Sequence, residues 1–76
     1  MIEVKFYGLI RLESGIKSLH VEAASMKELY LLLESKHPTL AFDELKKSIV
    51  LVNGKRAGMN ARLCHGDVVQ FLSPSA

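Results

Sequence analysis

Apolar and polar residues alternate at the start of the chain. Ile2, Val4, Phe6, Gly8 and Ile10 fall on one side and Glu3, Lys5, Tyr7 and Leu9 on the other, which predicts a strand over residues 2–10 with one buried face. Tyr7 and Leu9 are apolar side chains on the outward side, either ordinary surface or the beginning of a contact patch. Arg11-Leu12-Glu13-Ser14-Gly15 reads as a polar turn. Alternation then resumes with Leu19, Val21 and Ala23 against Ser18, His20 and Glu22, so that two neighbouring strands form a hairpin.

The period changes at Ser25. Ser25 followed three residues later by Glu28 is a capping box, and Met26, Leu29, Leu32 and Leu33 give an apolar stripe at helical spacing. Pro38 disfavours helical geometry in the residue before it, so the helix ends near His37. A further helical turn is expected around Phe42–Lys46, then a β-branched strand, Ile49-Val50-Leu51-Val52. Asn53-Gly54 predicts a tight turn with positive φ at both central positions. The chain returns through Lys55 to Gly58, loops over Asn60 to Gly66, and ends in a strand holding Val68, Val69, Phe71 and Leu72. Strand, strand, helix, strand, short strand, strand is the order of a two-layer α+β fold. It predicts a ubiquitin-like β-grasp: a mixed sheet of four to five strands with one helix across one face.

Composition narrows the function. A chain of 76 residues with 49% apolar and 24% charged residues has room for a single folded domain, 1–76, and not for a deep substrate cavity as well as a core. Its net charge of +2 is too slight an excess to point to nucleic acid. The opening residues lack the pattern of a signal peptide, and no apolar run approaches the roughly 20 residues that span a bilayer, which argues against a membrane partner. The one cysteine, Cys64, forms no internal disulfide and suits a reducing, cytoplasmic setting.

Specific residues carry a resemblance along the whole chain. Met1-Ile2-Glu3-Val4-Lys5-Phe6-Tyr7-Gly8 followed by Arg11, then Val52-Asn53-Gly54, and after ten residues His65-Gly66-Asp67-Val68-Val69 and Phe71-Leu72-Ser73-Pro74, resemble the motifs of a sulfur-carrier family. That family contains the small subunit of molybdopterin synthase, which serves molybdenum cofactor biosynthesis, and the thiamin biosynthesis carriers. The resemblance implies a protein that is not an enzyme by itself and needs no bound cofactor. Its implied partners are an adenylating (activating) enzyme, a synthase large subunit, or both. It also implies that the working group is the carboxylate of a C-terminal Gly-Gly tail, adenylated with ATP and converted to a thiocarboxylate.

Glycines suit such a tail because an extended backbone without Cβ atoms threads a narrow channel. Aligning Phe71 and Pro74 with the family's ending sets Ser75 and Ala76 at the tail, immediately before the expected glycine pair. Two extended residues span roughly 7 Å, against the approach of about 3 to 3.5 Å that chemistry needs. Carrier chemistry by the chain as written is therefore expected to be inefficient. A sulfur carrier and a non-catalytic interaction subunit of the same fold both remain open, as does an RNA-binding β-grasp module resting on Lys46-Lys47 and Lys55-Arg56.

By the same resemblance Tyr7, Arg11, Arg56, Phe71, Leu72 and Pro74 lie on or near a docking face. Aromatic residues with arginine enrich interface centres. Phe71 and Leu72, consecutive in a strand, must point to opposite faces. Cys64-His65 reads as a half-buried loop cysteine beside a histidine and not as a catalytic pair, since no third group orients the imidazole. His20, His37 and His65 lack the paired spacing of a metal site, and His37 has a structural reason to stand at a helix C-terminus.

Overall fold

The computed structural model describes residues 1–37, 40 and 42–72, without the side chains of 42–44. Its elements are β1 (Ile2–Tyr7), α1 (Leu9–Ser14), β2 (Ser18–Val21), α2 (Met26–Lys36), α3 (Phe42–Lys47), β3 (Ile49–Val52), β4 (Lys55–Arg56) and β5 (Val68–Leu72). The five strands form one mixed sheet in the order β2-β1-β5-β3-β4. β1 and β5 run parallel at its centre, and the other pairs are antiparallel.

The alternation read in the sequence decides which side chains enter the core. Ile2, Val4 and Phe6 of β1, Val50 of β3, and Val69 and Phe71 of β5 are buried beneath Met26, Leu29, Tyr30 and Leu33 of α2. Phe6 and Phe71 stack with centroids 5.5 Å apart, and Tyr30 meets Phe71 edge-on at 5.7 Å. Tyr30 takes the place in the stripe that the helical pattern assigned to Leu32, which is half-buried. Its hydroxyl donates to the Leu45 carbonyl at 3.4 Å, and burial raises its pKa above the ordinary phenol value.

The capping box forms as read: the Glu28 N–H donates to Ser25 Oγ at 3.2 Å, and the Ala24 N–H to Glu28 Oε2 at 3.1 Å. The loop before β5 is pinned across the start of this helix, with Leu63 buried, its N–H donating to the Ala24 carbonyl, and the Ala61 carbonyl accepting from Met26. Two strand boundaries differ from the alternation. β1 stops at Tyr7 because Gly8 takes φ 71° and ψ −143°, turning the chain into α1, which closes on Gly15 in the left-handed conformation. Ile10 is buried as expected, but from a helix. β2 ends at Val21, and Ala23 packs against the core from outside the strand. The predicted turn at 11–15 is thus the end of α1, which connects the antiparallel β1–β2 pair.

Candidate protein-docking face

The strand side chains that pack with α2 lie on one side of the sheet, and those that alternate with them form the other, where Lys5, Tyr7, Leu51, Gln70 and Leu72 are half-buried and Ile49 and Arg56 exposed. Strand register organises it into rows. Tyr7 of β1 is opposite Leu72 of β5, and Leu72 is opposite Ile49 of β3, giving an apolar row across three strands. The next row on the same face runs Lys5, Gln70, Leu51 and Arg56 through β1, β5, β3 and β4. Glu3 opposes Val68 in the third row, with His20 on β2, whose Nε2 lies 3.8 Å from Glu3 Oε2. The face therefore grades from apolar, at the end where β5 leads into residues 73–76, to charged at the other end. Gln70 Nε2 donates to the Tyr7 hydroxyl at 3.3 Å, tying the first row to the second.

Of the residues singled out from sequence, Tyr7, Leu72 and Arg56 come together on this face. Phe71 does not: it is fully buried, because its neighbour Leu72 takes the outward direction in β5 and Phe71 the inward one. Its place is behind the face, supporting it. Arg11 is exposed on α1, off the sheet, where its carbonyl accepts the capping N–H of Gly15. Pro74, Ser75 and Ala76 lie outside the described residues. Sequence reasoning missed Ile49, Leu51 and Gln70. The alternation of Ile49-Val50-Leu51-Val52 offered a signal, since Val50 and Val52 pointing inward forces Ile49 and Leu51 outward.

The glycine-flanked motifs meet at the polar end of β3 and β5. Asn53 takes φ 52° and Gly54 φ 83°, the tight turn expected of this dipeptide. The Asn53 side chain bridges to the second motif: its Nδ2 donates to Asp67 Oδ1 at 2.9 Å and its Oδ1 accepts the Val68 N–H at 3.0 Å. Asp67 Oδ2 accepts the Cys64 N–H at 2.8 Å. That N–H first, and the Asn53 amide second, hold the Asp67 carboxyl below its ordinary pKa.

Cys64 is exposed and not half-buried, because the adjacent Leu63 takes the inward position. His65 Nδ1 contacts the Met1 amino group. Among the described residues no group of three or more His, Cys, Asp or Glu side chains is placed to hold a metal ion. No described helix is long and apolar enough to cross a membrane.

A family model described as the ThiS family matches residues 4–76. The chain belongs to the ThiS family. The fold is the ubiquitin-like β-grasp of sulfur carriers. Subunit 1 or 2 in the complex of the two subunits of molybdopterin-converting factor from Helicobacter pylori is 28% identical, with a TM-score of 0.77 over 99% of this chain and 95% of that one. Urm1 from Trypanosoma brucei is 27% identical, with a TM-score of 0.74 over 95% and 89%. SAMP1 from Haloferax volcanii, 20% identical, has a TM-score of 0.85 over 99% and 96%, a likeness of fold. Among curated proteins none matches this chain in sequence.

Proposed function

We propose that residues 1–76 act as one sulfur-carrier-type docking domain that works on partner proteins in the cytoplasm and is not an enzyme alone. The observation that carries this reading is the Tyr7–Leu72–Ile49 row, which crosses three strands where β5 leads toward the C-terminal segment. A partner seated on that row receives the segment beyond Leu72, the geometry a carrier needs to deliver its end into another protein's site. Leu51 extends the apolar contact and Arg56 borders it, an apolar centre with a polar rim. The Helicobacter relative occurs in a complex of two subunits, which supports a synthase large subunit as one partner of this chain. An adenylating enzyme is the other.

In the carrier reaction a C-terminal carboxylate attacks the α-phosphate of ATP and pyrophosphate leaves; hydrosulfide then attacks the acyl carbon, its C–S bond replacing the C–O bond to AMP, which leaves, and loss of the proton gives the thiocarboxylate. Intact mass tests this after incubation with a ThiS-family activating enzyme, ATP and a sulfur donor, using the chain as written and the chain carrying two glycines after Ala76. The expected result is a sulfur-for-oxygen mass gain in the glycine-bearing chain. No gain in either chain overturns the carrier reading, and retained binding with no gain identifies an interaction subunit.

A further inference from the structure

Asn53-Gly54 is the dipeptide whose side-chain amide is most open to attack by the following backbone nitrogen, because Gly54 has no Cβ to obstruct it. In that reaction the Gly54 nitrogen bonds to Asn53 Cγ, and the bond from Cγ to the side-chain nitrogen breaks. The nitrogen leaves as ammonia, taking up the Gly54 amide proton. Water then opens the cyclic imide to an aspartyl or isoaspartyl residue, so no oxidant or other co-reactant is needed.

The fold ties this amide to other residues. Both ends of it are engaged, Nδ2 donating to the Asp67 carboxylate at 2.9 Å and Oδ1 accepting the Val68 N–H at 3.0 Å, while the Asn53 N–H donates to the Val68 carbonyl at 2.8 Å. Cyclisation requires the side chain to leave both partners, which also strips Asp67 of a donor. We propose that Asn53 is a deamidation site gated by the β3–β5 joint: protected while Asn53 is bonded to Asp67 and Val68, and modified when that joint opens.

The product cannot restore the joint. A carboxylate at position 53 has no N–H to offer, so two like charges replace the 2.9 Å hydrogen bond. An isoaspartyl linkage additionally lengthens the backbone inside a two-residue turn. One opening event followed by reaction thus leaves a permanently loosened joint at the polar end of β3 and β5. The site is independent of the Tyr7–Leu72–Ile49 row and of carrier chemistry.

The test is mass spectrometry with peptide mapping of the chain aged at mildly alkaline pH, folded and in urea. Deamidation at position 53 is expected to be at least roughly tenfold slower in the folded chain, the factor that one hydrogen bond to a charged group is worth. Equal rates overturn the gating. Asn53→Asp, standing for the aspartyl product, is expected to lower the melting temperature at neutral pH. Asn53→Asp with Asp67→Asn is expected to recover it, because exchanging the two side chains lets the amide at 67 donate to the carboxylate at 53. Cys64 and Val68 then keep their acceptors. If the single variant melts like the parent, or the double variant melts no higher than the single, repulsion at the joint is the wrong account.

Discussion

Tyr7 and Leu72 stand directly opposite one another in the parallel pair of β1 and β5, both half-buried and both on the side of the sheet away from α2. Neither side chain belongs to the buried core, so replacing either should disturb a partner more than the fold. Leu72→Glu and Tyr7→Glu are each expected to weaken binding to an activating enzyme or synthase subunit at least about thirtyfold, the hot-spot threshold of about 2 kcal/mol. Leu31→Glu, on the exposed side of α2 at the opposite surface, is expected to leave binding intact. Titration calorimetry with each variant measures this. Unchanged affinity for both outer-face variants would show that the partner sits elsewhere.

Phe71, one residue earlier, answers to a different measurement. It is fully buried, stacked on Phe6 and met edge-on by Tyr30, so its removal leaves a cavity at the centre of the core. Phe71→Ala is expected to cost about 3–5 kcal/mol in urea unfolding. A loss below 1 kcal/mol, by the order of a surface substitution, contradicts its core role.

Gly8 decides where β1 ends. At φ 71° and ψ −143° it occupies backbone space close to that reserved for glycine, and the following residue opens α1. Gly8→Ala is expected to destabilise by about 1–3 kcal/mol. The same substitution at Gly58, whose φ is not positive and whose added Cβ meets nothing within 4 Å, is expected to be far milder. Paired thermal melts compare the two.

Asp67 ties stability to pH. Its folded-state pKa is depressed, so its contribution is fully present above the unfolded-chain value and lost as pH falls through the lower folded value. Melting temperature is expected to fall through that acid window. Asp67→Ala should remove that part of the fall, because it leaves no carboxyl to protonate. An unchanged acid profile in the variant would mean that the Cys64 and Asn53 contacts do not stabilise the charged form.

The local pattern of this chain determined most of its architecture. Alternation in Ile2–Phe6 and at Val69–Phe71, the Ser25–Glu28 box, the helical stripe and the Asn53-Gly54 turn each rest on interactions among near neighbours, which a linear reading captures. It did not capture the end of β1. Gly8 and Ile10 fit a strand's period as well as a glycine-initiated helix does, and the choice depends on the chain folding back through α1 to reach β2.

The proposed docking face shows the same division. The family resemblance set Tyr7, Arg11, Arg56, Phe71, Leu72 and Pro74 on or near one surface, of which Tyr7, Arg56 and Leu72 share the outer sheet face, and the requirement that Phe71 and Leu72 diverge followed from strand geometry alone. Which of the two faces the core, and that Ile49 completes the apolar row, depended on the parallel β1–β5 and antiparallel β3–β5 registers. Asn53 and Asp67 likewise appear in the sequence as two separate turn signals, yet they form one joint. Those pairings bring residues distant along the chain into contact, and only the tertiary structure decides them.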